Sequence, residues 1–541
     1  MFKRYKSTKG ITLVALVITI IILLILAGIS ISTLTNTGIF EKAKEAKQKS
    51  ENAQKEEDRL ISEYEKEIVK QDAEGIWDGN VNKPDLMSGM SAIKFTEPTD
   101  STEGKDEKVS DSSKNDWYNY SEKKWANAQT EDGSMWVWIP RYAYKINKSN
   151  QTFDVVFLVG TTDNYYDKDG KLQTAKRQTS ETDIPDATKD YVVHPAFTNE
   201  SNIGYANGGW KKELAGIWVA KFEAGYFDKN LVDADKEKYS SSVNYSQTYG
   251  YTSAEKNEDA RNYLDGVYGS KTTAIKYPTF QGGKYSMNYI NHNDAFNISK
   301  AIAGDSNNIY GLKSNSTDSH LIKNSEWEAV SYLGQSQYGL NGTNIRINNL
   351  TLNNSVKTIY AVTGYASKTS DDAGATSSTS DVYKWTEKGG QTASCTGTIY
   401  GIYDMSGGTW ERSAAIVNNG NGNLNTYGKA IMNALNNGKS SEYVTVYPKG
   451  ETSGQSLDDA SKSNYAANTK IYGDAIRETS TAGLGQTSWY SDYSYFAGLY
   501  DPFFTRGGNC WDRSGAGLFY FGRNDGSSSH DSGFRSVLVA Q

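Results

Sequence analysis

The chain has 541 residues, a formal net charge of −7 and only 37% hydrophobic residues. That balance excludes nucleic acid as the natural partner, because phosphate binding needs a basic footprint. Two cysteines, Cys395 and Cys510, exclude a disulfide framework and leave at most one bridge between them.

Length suggests several structural units. The 38 tyrosines and 50 glycines, beside many Ser and Asn, are the vocabulary of an adaptable recognition surface. Residues 1–10 carry Lys3, Arg4, Lys6 and Lys9, and the segment after Gly10, from Ile11 to Ser32, has no charge until Glu41. At about 1.5 Å per helical residue this segment is long enough to cross a hydrocarbon core of roughly 30 Å. The preceding basic cluster keeps the N-terminus cytoplasmic and sends the rest of the chain across the membrane. Residues 11–72 read as one helix, a membrane span continued by a stalk. Glu45–Lys49 and Glu51–Lys55 are favourable i,i+4 pairs, and Ala46, Ala53 and Leu60 recur every seven residues. That stripe fits either a solvated stalk or a seam against similar subunits.

Residues 73–134 read as a linker or small subdomain, because "TEPTDSTEGKDEKVSDSSKND" (96–116) is charged and poor in apolar residues. Strand-like runs then begin at 135–146, 153–160 and 213–227, and "NHNDAFNISKAIAG" (291–304) reads as a helix. The segment "SKTSDDAGATSSTSD" (367–381) reads as a low-complexity surface loop. No metal or cofactor is called for. His194, His292, His320 and His530 lack ligand spacing, and "YYDKDG" (165–170) departs from a calcium loop at Tyr165. "NALNNGKSS" (433–441) lacks the first glycine of a phosphate loop.

Two stretches carry resemblances. The basic leader, Gly10 and the apolar helix from Ile11 resemble a type IV prepilin, which implies cleavage between Gly10 and Ile11 and pilin-like subunits as partners. Ala15 stands where that family has Glu, so the charge used in polymerisation is missing. Over residues 135–541, "HLIKNSEWEAV", "GIYDMSGGTWERS" and "RGGNCW…GFRSVL" resemble, in order, the landmarks of formylglycine-generating enzyme-like domains of the C-type lectin fold. The implied fold class is α+β, a long N-terminal helix followed by a large loop-rich domain. Trp327 and Trp410 suit a bracing role. Arg506 and Arg535 are placed to pair with carboxylates such as Glu328 and Glu411.

The resembling enzymes use two cysteines after the Arg-Gly-Gly motif, and here those places fall near Asp512 and Gly517. Cys510 alone cannot form a two-thiolate copper site, so catalysis is not expected. Gly408 replaces an Asn of the family, so no calcium site is expected there. The ending instead resembles the variable region of retroelement-diversified lectin-fold proteins, in which adenines of Asn codons are randomised. Across 509–536 only Trp511 lies outside what such codons reach. The resemblance implies a frame of apolar anchors displaying Cys510, Asp512, Arg513, Ser514, Tyr520, Arg523, Asn524, Asp525, His530 and Asp531 toward a protein or carbohydrate ligand. Two other readings stay open: an enzyme of the resembling type, and a minor pilin without a variable site.

Overall fold

The computed structural model describes residues 19–25, 47–50, 52–56, 81–112, 117–180, 183–199, 209–226, 278–288, 290–304, 309–351, 361–451, 456–468 and 471–541. By its contacts the chain divides into Met1–Lys70 and Gln71–Gln541. The strands that position the site are β1 (Met90–Thr96), β2 (Lys105–Lys108), β3 (Asn127–Thr130), β4 (Met135–Pro140), β5 (Gly216–Ala220), β6 (Thr317–Leu321), β7 (Trp410–Val417), β8 (Thr445–Tyr447), β9 (Phe503–Gly507), β10 (Gly517–Asn524), β11 (Ser532–Phe534) and β12 (Ser536–Ala540). Three of the helices bear on the site: α1 (His292–Gly304), α2 (Asn324–Gly334) and α3 (Leu457–Ala467).

The larger sheet runs β6-β12-β5-β4-β3-β1-β2, with every neighbouring pair antiparallel. All six residues of β4 and all five of β5 are buried, so both sheet faces are covered and the strands read as unbroken apolar runs. Their register pairs Trp138 with Trp218, whose rings lie 5.3 Å apart. The run at 135–146 does not form one strand. It breaks at Arg141, a fully buried cation that leaves the ladder to pair with Asp163 and Glu213.

Within the segment read as a linker or small subdomain, 73–134, lie β1, β2 and β3, which extend this sheet. Ala92, Ile93 and Phe95 of β1 are buried. Composition misled because β2, "KDEK", is an edge strand with all four side chains exposed, and charged edges are how sheets avoid pairing with other chains.

The second sheet runs β8-β7-β9-β10, with β11 also pairing β7 in parallel. Against β7 and β10 of this sheet packs α2, buried along its whole length. Trp327 of α2 donates from Nε1 to the Leu518 carbonyl at 2.9 Å, and the guanidinium carbons of Arg506 and Arg535 lie 5.9 and 5.3 Å from its ring centroid. Arg506 pairs with Glu328 and Arg535 with Glu411, all four fully buried.

The fold is therefore α+β, with helices and sheets mixed. A long N-terminal helix is not supported. Helix is described there only at 19–25, 47–50 and 52–56, and Gly10 and Ile11 lie outside the described residues. Among the described residues no helix is long and apolar enough to cross a membrane.

Candidate functional site

The C-terminal segment is held by the second sheet. β9 and β10 pair from Phe503↔Asn524 to Arg506↔Phe521, then shift register at Gly507. Leu518, Phe519, Phe521, Phe534, Val537 and Leu538 are at most 2% exposed and fix the frame. Gly517 is required, since a Cβ there would meet the Asp492 carboxylate at 2.2 Å. Gly508, at φ +74°, passes the Ala516 Cβ at a distance only a glycine tolerates.

The residues expected on display divide into groups. Cys510 and Tyr520 are corrections: Cys510 is 0% and Tyr520 5% exposed, so neither is presented to solvent. β10 is covered on both sides, and the side chains of residues 518–521 are all buried. Burial pushes both phenol and thiol well above their ordinary pKa ranges. Cys395 is also buried and free, its thiol pushed up to about 12 by burial, so the two cysteines form no bridge.

Asp512 is half-buried and accepts from Trp410 Nε1 at 2.6 Å and from the Asn509 N–H at 3.0 Å. Burial raises its carboxyl above the ordinary range. Arg513 is exposed at φ 52°, beside Gly374. The Ser514 N–H donates to Asp372 Oδ1 at 3.0 Å. Arg523 is tied to α3, donating to Ser461 Oγ at 2.8 Å and to Asp458 Oδ1 at 2.7 Å.

Asn524, Asp525, His530 and Asp531 are half-buried and line one turn. Asn524 Oδ1 accepts from Arg412 Nη1 at 2.8 Å and from the Gly526 N–H at 2.8 Å. Asp525 Oδ1 accepts from the Ser527 N–H and hydroxyl at 2.9 and 2.7 Å. The His530 carbonyl accepts from Asn288 Nδ2 at 2.6 Å, and Asp531 accepts from the Ser529 hydroxyl.

Beneath that turn lies a group that sequence reasoning missed. Arg412 is fully buried and donates to His292 Nδ1 at 2.7 Å, to Asn524 and to the Ser527 carbonyl. Burial lowers its guanidinium to about 10, while Asp531, Asp525 and Asp294 act against that fall. The available signal was Arg412 itself, a cation two residues after Trp410 in a strand that is otherwise apolar beyond Ser413.

Trp511 is 46% exposed. The segment expected as a surface loop at 367–381 is mostly irregular and solvent-facing, and it is held at its middle: Ala373 packs with Ile347 and Ala516, and Asn349 Nδ2 donates to the Gly374 carbonyl at 2.6 Å. Among the described residues no three His, Cys, Asp or Glu side chains are grouped to hold a metal ion. Comparison with protein-family models gives no match, and comparison with curated proteins gives none either.

Proposed function

We propose that this chain is an exported, membrane-anchored binding protein whose C-terminal face is a diversified recognition site on a lectin-type domain resembling the formylglycine-generating enzymes. The carrying observation is the division within 509–536: deeply buried apolar anchors sit on paired strands, while Arg513, Ser514, Asp525, His530 and Asp531 keep solvent-facing surface. A frame of this kind tolerates changes at the polar positions because its stability resides in the anchors.

Binding is favoured over cysteine oxidation because both thiols are buried and held protonated, whereas metal ligation and nucleophilic attack use thiolates. The reading needs no cofactor. The ligand is a protein or a carbohydrate, and the net charge of −7 disfavours nucleic acid.

At the other end, the side chains of Ile20, Ile21, Ile22, Leu23, Leu24 and Ile25 are 47–68% exposed on their helix. Such a surface needs lipid or another apolar helix around it. This supports a single-pass anchor, with Gly10–Ile11 as the processing site, pilin-like subunits as neighbours and the large domain outside the cell. The test is to sequence the DNA flanking the coding segment. A near-copy of the codons for 509–536 that differs at adenines supports the reading. A flank with no such copy overturns diversification.

A further inference from the structure

We propose that the turn 524–531 is held down by a proton-sensitive clasp, His292 on Arg412, and that mild acid frees this turn while the two sheets stay folded. The clasp operates whether or not this face binds a ligand, and so goes beyond the function proposed above.

The clasp is built where β7, β9, α1 and the turn meet. Arg412 of β7 donates Nη1 to Asn524 Oδ1 at 2.8 Å and Nη2 to the Ser527 carbonyl. The same Nη1 donates to His292 Nδ1 at 2.7 Å. His292 is the first residue of α1, and its own N–H donates to the Gly526 carbonyl at 3.0 Å. Gly526, at φ +93°, lies on Phe503, where a Cβ would meet the ring at 2.5 Å. The Phe503 ring in turn stacks on His292, with centroids 4.4 Å apart.

Protonation reverses the central contact. Burial lowers the guanidinium only to about 10, so it stays charged and has no acceptor to offer. It can bond Nδ1 only while that nitrogen keeps its lone pair. An imidazolium would set a second donor and a second positive charge against Arg412, and both residues are fully buried. Asp294 of α1 and Asp525 and Asp531 of the turn bear on Arg412, whereas the charge that bears on His292 is Arg412 itself. The backbones of Phe504 and Ser413 favour the imidazolium, but less than burial and Arg412 oppose it. Lys429, on the helix Lys429–Asn433 against α1, is exposed, and Asp318 of β6 pairs with Lys300 about two turns along α1.

The turn is the part that yields. Apart from Gly526, residues 524–531 are all half-buried, so lifting them uncovers little core. Opening releases a histidine that takes up a proton near pH 6.5. The open state therefore binds more protons, and the opening equilibrium grows as pH falls, by up to about tenfold per unit.

Hydrogen–deuterium exchange of the full chain in detergent, from pH 7.5 to 5.0, reads the clasp. Protection, taken relative to the unstructured-chain rate at each pH, is followed at the His292 and Gly526 amides and across β4 and β5. At the two clasp amides it should fall by up to about thirtyfold over that range, while β4 and β5 stay more protected throughout. His292→Asn, which keeps an acceptor for Arg412 but does not titrate, should abolish the fall. His530→Gln, at the other histidine of this turn, should leave it in place. A parental profile flat within about threefold overturns the clasp, and so does a fall that survives His292→Asn or vanishes with His530→Gln. Exchange of the two amides in step with β4 and β5 also overturns it, since the opening would then be global. If His292→Asn does not fold, the parental profile and His530→Gln still decide.

Discussion

Arg412 donates to Nδ1 of His292 at 2.7 Å, so this imidazole serves its neighbour only while neutral. Burial, and then the Arg412 charge, hold the His292 pKa well below its ordinary value. In the unfolded chain the same histidine takes up a proton near pH 6.5. The unfolded state therefore binds more protons below that pH, and stability falls as pH drops toward the folded pKa, by at most about 1.4 kcal/mol per unit for this one group. His320 has the opposite sign. It is fully buried between Asp318 and Glu326 at 2.8 and 3.0 Å, and its pKa is raised, with Glu326 the leading favourable charge against burial. Its contribution is complete below the unfolded pKa and is lost as pH rises through the folded one. Urea denaturation from pH 4.5 to 8.5 checks both. His292→Asn, which keeps an acceptor, should flatten the acid limb, and His320→Gln the limb above neutrality. Unchanged limbs would refute the assignment.

The anchors should behave as core. Phe534 is 0% exposed, and its strand pairs with β7 at Arg412. Phe534→Ala is expected to cost roughly 3–5 kcal/mol. Glu411→Ala strands the buried Arg535 guanidinium and should cost a similar 3–5 kcal/mol. Chemical denaturation of the chain measures both, and a loss below 1 kcal/mol at Phe534 would mean the anchor is not packed as described.

How much of this was legible in the sequence varies by element. The Arg506–Glu328 and Arg535–Glu411 pairs and the bracing role of Trp327 could be read because Arg, Glu and Trp in short fixed motifs have few ways to be satisfied when buried. The strands within 90–130 could not, since an exposed edge strand and a linker share one composition. Tyr520 was misread because its strand, β10, is covered on both faces, and Cys510 because it lies in the turn after β9, where burial leaves no periodic signal. The partners that occupy Arg523 and Asn524 come from 458–461 and Arg412, and contacts at such separations leave no local trace.

Both cysteines should be inert in the folded protein. Cys395 and Cys510 are 0% exposed, and burial raises both thiols. Iodoacetamide at pH 8 is expected to leave the native chain unlabelled and to add two groups after unfolding in urea, read by intact mass under reducing conditions. Rapid labelling of Cys510 in the native chain would show an accessible thiolate and revive the enzyme reading.

The display positions should not be equivalent. From sequence, Asp512, Arg513, Arg523, Asn524, His530 and Asp531 are interchangeable; their contacts divide them. Arg513 is exposed and left-handed, a backbone state that Asn and Gly adopt more readily than Arg. Arg513→Asn should therefore shift stability by no more than about 0.5 kcal/mol. Arg523→Ser loses a partly exposed ion pair with Asp458, whose own side chain is 54% exposed, and should cost about 0–1 kcal/mol. Asp512→Ala leaves the Trp410 indole and the Asn509 N–H without their acceptor, which should cost about 1–3 kcal/mol. Asn524→Leu removes an acceptor from a fully buried guanidinium and should fall in the same range. Thermal and urea melts of the four single variants decide the matter. The expected order is Arg513→Asn, then Arg523→Ser, then the other two. If Asp512→Ala and Asn524→Leu melt with the parent while Arg513→Asn collapses, the polar residues are not held as described, and the division between display and support fails with them.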